Sequence, residues 1–331
     1  MKEKEYSLYA PGEYRYPAAY GFEPFLHTYL HEDEEIRPVL MIAPGGGYRF
    51  VSPSEGEIVA RSFYEKGWNC FVLTYSINMM DLAPLNEQPL HDISRAVRFV
   101  RKHASEFFVD PMKLAVCGFS AAGHLCASLA VHYMDDTEPN PEYSEISNRP
   151  QAAVLCYPVI TSGEFAHRDS FTALLGADAS PDMLHYMSLE TQVTKDTVPC
   201  FLWQTVTDEL VPVENSCMMA QALKKEGIPF ALHLFTDGAH GISVATQDWA
   251  DHKYAAPYTM AQTFALADAV QAGKIPLPEE QKARFLGMIS FFKGEIPPDL
   301  ADQFRSEPNE EAAVWTSLAD QWLRKIFNSG I

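Results

Sequence analysis

Short, continuously apolar runs recur along the chain at 39–43, 70–75, 113–117, 152–156, 200–204 and 230–235. Each is too short for a surface helix and lacks a polar alternate face, the pattern of strands covered on both sides. Between them the spacing changes to a helical period, predicting helices at about 54–66, 89–104, 121–133 and 213–226. The last of these closes on Lys224-Lys225-Glu226-Gly227, basic residues and then glycine, a C-terminal stop signal. Strand and helix in alternation predict an α/β fold with a mostly parallel central sheet and helices on both faces. Two earlier candidates, around 6–9 and 25–30, flank turn residues and are expected as an antiparallel edge.

The rhythm stops near residue 245. Residues 248–308 keep a helical period over 258–270 and 279–292, broken by Ile275-Pro276-Leu277-Pro278 and Ile296-Pro297-Pro298. A final amphipathic stretch, 312–327, sets Val314, Trp315, Leu318, Trp322, Leu323 and Ile326 at helical spacing. The expected organisation is one domain over 1–331, with a helical insertion at 248–308 and a terminal core helix at 312–327. Two domains are also compatible with 331 residues, but one α/β domain of that size is ordinary. The insertion carries Tyr254, Tyr258, Phe264, Leu266, Phe285, Met288, Ile289, Phe291 and Phe292, a patch too apolar to stay exposed. It is expected to cap a pocket or to meet a second subunit in a homodimer; an extra layer on the domain's own flank is the alternative.

Composition narrows the function classes. Hydrophobic residues make up 47% and charged residues 21%, enough to bury a large core and too apolar for a disordered chain. Lys+Arg 25 against Asp+Glu 44 gives −19, which repels phosphate backbones and anionic lipid. No nucleic-acid or membrane partner is therefore expected. No apolar run approaches the roughly 20 residues of a membrane-spanning helix, and Met-Lys-Glu-Lys-Glu-Tyr at the start has no apolar signal segment. The six cysteines, Cys70, Cys117, Cys126, Cys156, Cys200 and Cys217, include no C-x-x-C pair and sit mostly in apolar runs, as reduced structural thiols do. A cytoplasmic location is expected.

Gly118-Phe119-Ser120-Ala121-Ala122-Gly123 directly follows a predicted strand and opens a predicted helix. A sharp strand-to-helix turn lifts a serine hydroxyl above the sheet edge and needs small neighbours, which makes Ser120 a candidate nucleophile. Ala122 stands where glycine is commoner but keeps the small volume. Upstream, Pro44-Gly45-Gly46-Gly47-Tyr48 follows the 39–43 strand, and glycines let backbone amides approach a developing negative charge. Asp208 lies just past the strand ending near Val206, and His240 just past the one ending near Phe235. Both belong to the carboxyl ends of parallel strands, where open α/β sheets gather functional groups. A serine hydroxyl needs an imidazole to take its proton, and that imidazole needs a carboxylate to fix its tautomer. Among competitors, Asp196 precedes its strand, Asp237 is placed to shape the turn before His240, and Glu209 stays open beside Asp208. His124 is expected to pack or cap inside its helix; His103, His167, His185 and His233 lack comparable context.

These motifs together resemble the α/β-hydrolase esterase/lipase superfamily, most closely its acetyl-esterase and xylan-esterase-like proteins. The resemblance rests on Pro-Gly-Gly-Gly-Tyr, Gly-Phe-Ser-Ala-Ala-Gly-His-Leu, Asp208-Glu209-Leu210-Val211-Pro212 and Gly-Ala-His-Gly, and covers about 36–245 plus the terminal helix. It implies Ser120, Asp208 and His240 as a catalytic triad, with oxyanion amides from Gly46, Gly47 and Ala121. Pro44 stands where many related lipases have histidine, which favours the acetyl-esterase side. The implied activity is a serine carboxylesterase on a small-molecule ester with a short acyl group, acetylated carbohydrate being the favoured class. An amide-directed hydrolase of peptidase or formamidase type, and a catalytically silent binding protein on the same fold, are the competing readings. Neither a phosphate loop nor G-x-G-x-x-G nor H-E-x-x-H is present, so no metal and no organic cofactor are expected.

Overall fold

A computed structural model describes residues 1–292 and 306–329. Among the described residues eight strands are formed: β1 (Lys2–Ser7), β2 (Phe25–Leu30), β3 (Arg37–Ala43), β4 (Asn69–Thr74), β5 (Val109–Phe119), β6 (Ala152–Cys156), β7 (Cys200–Thr205) and β8 (Phe230–Phe235). They make one sheet in the order β1-β2-β4-β3-β5-β6-β7-β8. Strand β2 runs antiparallel to both β1 and β4, and all later pairings are parallel. This is an α/β fold with the antiparallel edge that the turn residues predicted.

The helices are α1 (Glu57–Tyr64), α2 (Gln88–Lys102), α3 (Ala121–His132), α4 (Arg168–Leu175), α5 (Pro181–Tyr186), α6 (Glu214–Glu226), α7 (Gln247–Ala250), α8 (Ala261–Gln271), α9 (Glu279–Phe292) and α10 (Trp315–Asn328). Side chains alternate across a strand, and here both faces are buried. Val39, Met41 and Ala43 of β3 pack with Ile93 and Val97 of α2, Leu125 and Leu129 of α3 and Leu223 of α6. Leu40 and Ile42 pack on the other side with Val59 and Phe63 of α1 and Trp315 and Leu323 of α10. That double burial is why the central strands read as unbroken apolar runs. The edge strand β8 departs from this reading: among the described residues it pairs with β7 alone, and it is mostly half-buried, with Leu234 exposed. Val314 is likewise exposed, because a 3-10 turn at Ala312–Val314 precedes α10 and turns that position outward.

The described part of the insertion packs on the chain's own flank. Leu266, Ala269, Val270 and Ile275 form a small cluster with Met79, Met80, Leu277, Phe285 and Leu286. The side chain of Gln262 accepts from the Ile77 amide at 2.8 Å and donates to the Ile77 carbonyl at 3.0 Å. Tyr258 stacks on His27 with centroids 4.3 Å apart. The Ile296-Pro297-Pro298 break lies outside the described residues. Past it, Asn309 returns to the sheet edge: its amide donates to Ala245 O at 2.9 Å, and its side chain donates to Asp237 O at 2.8 Å.

Strand order reverses between β3 and β5, since β4 lies to one side of β3 and β5 to the other. The chain segments leaving the carboxyl ends of these neighbours, Gly45–Gly47 and Ser120, therefore diverge and leave a crevice, the usual ligand position in an open α/β sheet.

Candidate active site

Ser120 follows β5 without a spacer and is the residue before α3. Its backbone has φ 54° and ψ −120°, a left-handed turn that an L-residue enters only under constraint. The constraint is visible in its hydrogen bonds: Ser120 N donates to Cys156 O at 3.0 Å, while Val159 N and His124 N donate to Ser120 O. The hydroxyl is held at the crevice, and the residue is only 8% exposed.

His240 comes to it from the loop after β8. Its Nε2 lies 2.7 Å from Ser120 Oγ and its Nδ1 lies 2.6 Å from Asp208 Oδ2. Asp208, at the end of the loop after β7, has a fully buried side chain. Its other oxygen accepts the backbone amides of Leu210 at 3.0 Å and Val211 at 2.9 Å, so the carboxylate is fixed by dipoles of its own loop. An imidazole in this position can accept the serine proton at one nitrogen while the other donates to the carboxylate.

The glycine run lies across the crevice. Gly45 is packed so closely that a Cβ there would come 2.6 Å from Phe119 O and 3.0 Å from Ser120 Cβ. Gly46 has φ +125°, and a Cβ would fall 2.2 Å from Phe50 O. The loop is tied by Tyr75 Oη donating to Pro44 O at 2.8 Å and by Ser52 N donating to Gly45 O at 2.9 Å. Among the described residues, the amides of Gly46, Gly47 and Ala121 have no acceptor. Unpaired amides beside a nucleophile can receive a developing oxyanion.

Above Ser120 lies a cavity of about 280 Å³, lined by Gly46, Gly47, Arg49, Phe50, Ser52, Ser54, His167, Asp169, Leu210 and His240 among others. Arg49 is anchored there by Asp169 at 2.7 Å and Asp81 at 2.5 Å. His167 donates or accepts at Ser170 Oγ, 2.8 Å from its Nδ1. Burial, and then the charge of His240, push the His167 imidazole below its ordinary value, which favours a neutral ring. No residue of 248–292 lines this cavity, although Trp249 and His252 line a wider cleft that shares Ser54, Leu210, His240 and Gly241 with it.

The structure thus brings together all six residues singled out in the sequence, Ser120, Asp208, His240, Gly46, Gly47 and Ala121. The competitors lie elsewhere or face away. Glu209 is exposed, Asp196 and Asp237 are exposed, and none is hydrogen-bonded to His240. His124 is a core residue: Nε2 lies 2.9 Å from Met187 O and Nδ1 lies 3.0 Å from Tyr48 Oη. Sequence reasoning missed His167, Arg49, Glu55 and Tyr157. His167 had no motif around it, while Glu55 resembled an ordinary acidic start to α1. Among the described residues no group of three or more His, Cys, Asp or Glu side chains is arranged to hold a metal, and no helix is long and apolar enough to cross a membrane.

The model of the BD-FAE family matches residues 26–223. The chain is 47% identical over 270 residues to a Butyrivibrio fibrisolvens protein named endo-1,4-beta-xylanase B, covering 80% of this chain and 42% of that one. It is 28% identical over 224 residues to an acetylxylan esterase of Xylanibacter ruminicola, covering 66% and 43%. The chain therefore spans less than half the length of these curated relatives, and more than half of the xylanase-named protein lies outside the match. Among solved structures, the acetyl ester-xyloside bifunctional hydrolase of Caldicellulosiruptor lactoaceticus superposes with a TM-score of 0.68 at 34% identity, covering 80% of this chain and 96% of that one. The family match spans more than half of the chain, and it agrees with the topology: the chain belongs to the BD-FAE family and has the α/β-hydrolase fold.

Proposed function

We propose that the chain is a serine carboxylesterase that hydrolyses small esters with short acyl groups, acetylated carbohydrates foremost, through Ser120, His240 and Asp208. The observation that carries this reading is the continuous line from Ser120 Oγ to His240 Nε2 at 2.7 Å and from His240 Nδ1 to Asp208 Oδ2 at 2.6 Å. In the proposed reaction His240 takes the Ser120 proton as Oγ attacks the ester carbonyl carbon. The amides of Gly46, Gly47 and Ala121 hold the resulting oxyanion. Collapse of the intermediate breaks the ester bond, and His240 returns its proton to the departing alcohol. Water, deprotonated by His240, then cleaves the acyl-enzyme and restores Ser120.

The cavity supports the choice of substrate. Its volume of about 280 Å³ and its lining of Arg49, Ser52, Ser54, His167 and Asp169 suit an acetyl group on a hydroxylated alcohol. A long acyl chain would have to bury methylenes against these polar groups, forfeiting much of the roughly 0.8 kcal/mol that each gains in an apolar slot. A panel of nitrophenyl esters from acetyl to dodecanoyl, run beside an acetylated xyloside and a nitroanilide, tests the reading. kcat/KM should peak between acetyl and butyryl, and the xyloside should be deacetylated. Specificity constants that rise from butyrate to dodecanoate would reject the short-acyl assignment, and a faster anilide would transfer the site to amide chemistry.

A further inference from the structure

One buried carboxylate beside Ser120 takes no part in the chemistry above. Glu55 closes a 3-10 turn, Pro53–Glu55, and is 4% exposed. Its Oε2 accepts the Gly45 amide at 2.7 Å, and its Oε1 accepts the hydroxyl of Tyr157 at 2.6 Å. The same Tyr157 oxygen accepts the amide of Ser243 at 3.0 Å. Its ring stands edge-on to the His240 imidazole, with centroids 5.0 Å apart. Tyr157 directly follows β6 with φ 36°, a left-handed conformation that a bulky residue adopts only when its surroundings hold it there.

Two hydrogen bonds on Glu55 and one on Tyr157 thus form a bridge, Gly45–Glu55–Tyr157–Ser243, that spans the crevice. One end is the loop that carries Gly46 and Gly47; the other is three residues past His240. Among the described residues Glu55 meets no cation other than the imidazole that His240 would become. A carboxylate kept only to satisfy the core would have no need to join two loops on opposite sides of the nucleophile.

We infer that Glu55 and Tyr157 are positioning residues that set the distance between the oxyanion amides and His240. The inference rests on the proposed roles of Ser120, His240 and the Gly46–Gly47 amides. It predicts that loosening the bridge slows chemistry without weakening binding, because a displacement of about 1 Å at a reacting group costs on the order of 10²-fold.

Tyr157→Phe removes one oxygen and both of its hydrogen bonds while keeping the ring. With p-nitrophenyl acetate, and with active sites counted by fluorophosphonate labelling, kcat per labelled site should fall ~10- to 100-fold with KM within about threefold. Glu55→Ala should lose ~10²- to 10³-fold, the scale of a missing oxyanion donor. Glu55→Gln retains an acceptor for Gly45 and should recover at least tenfold of that loss, a rescue that a mere packing role would not give. If Glu55→Ala does not fold, Tyr157→Phe and Glu55→Gln decide the matter. A Tyr157→Phe enzyme with more than half the wild-type kcat overturns the bridge, as does a loss confined to KM or to the number of labelled sites. Ser120→Ala reports on the underlying reading. Activity that survives it removes that reading and the bridge together, whereas an inactive Ser120→Ala beside a fully active Tyr157→Phe overturns the bridge alone.

Discussion

Two clusters of buried charge lie in this molecule and are built on opposite principles. Along α2, Glu13, Glu138 and Asp136 each meet a cation, whereas among the described residues Asp92 of the same helix accepts only from Ser76, Gln88 and Tyr9. Arg95 sits between Glu138 at 2.6 Å and Glu13 at 2.7 Å, and Asp136 holds Arg98 at 2.5 Å and His91 at 2.6 Å. Around His240, the two carboxylates are satisfied by neutral donors. Asp208 takes the Leu210 and Val211 amides, and Glu55 takes the Gly45 amide and the Tyr157 hydroxyl. Opposed charges lock geometry but leave no field for a new charge to fall into. Carboxylates held by dipoles are equally fixed, yet retain a negative potential for the imidazolium that the proposed mechanism would form. The first cluster supports the fold; on the proposed mechanism the second receives a charge that comes and goes.

Substitutions separate the two. The largest effect belongs to Ser120→Ala, which should lower turnover on the order of 10⁴- to 10⁶-fold while leaving the melting temperature and the α2 cluster intact. Asp208→Asn comes next, at about 10⁴-fold by analogy with the corresponding serine-protease substitution, because an amide favours the wrong imidazole tautomer. Asp237→Asn should change turnover less than about threefold, and equal losses in the two variants would mean that another carboxylate orients His240. Arg98→Met reverses the pattern. Removing one partner of a buried pair costs about 3–5 kcal/mol of stability, read by urea unfolding, with kcat per folded molecule unchanged. A fall in kcat there would show the clusters to be coupled.

Two histidines give the smallest and most diagnostic comparison. His91 is raised, chiefly by its hydrogen bond to Asp136, so its stabilisation is fully present below pH 6.5 and lost as pH rises through the folded value. His124 is pushed down to about 4 by burial. Between pH 6.5 and 4 the unfolded chain binds a proton there that the folded chain refuses. Stability therefore falls as pH drops through that window, by on the order of 3 kcal/mol at its lower end. Melting curves should accordingly show a shallower acid slope for His124→Gln than for the wild type, whereas His91→Gln should be weaker than wild type at pH 5.5 and nearly equal at pH 9. Parallel slopes for His124→Gln would mean that the imidazole is not kept neutral.

The fold was legible where burial is symmetrical. Strands β3 to β7 announce themselves because both of their faces are covered, while α4 and α5 were invisible as separate elements, being short and packed by tertiary contacts. Ser120, Asp208 and His240 could be read because topology ties each to the carboxyl end of a strand, so order along the chain predicts convergence in space. Glu55 and Tyr157 could not, since what joins them is a single hydrogen bond between positions 102 residues apart. His167 escaped for the same reason: it enters the cavity from the loop before α4, and no spacing rule connects that loop with the elbow.

The contact between Asn309 and Ala245 has a consequence for how such chains can diverge. The two ends of the segment between them are one hydrogen bond apart, 2.9 Å. Its ends are already brought together, so lengthening or replacing what lies between costs little closure entropy, about 0.6 kcal/mol for each doubling of length. His240 lies upstream of that seam and Trp315, whose indole donates to Ser243 O at 2.9 Å, lies downstream of it. The seam thus ties the two ends of the segment to each other, independently of the length of chain between them.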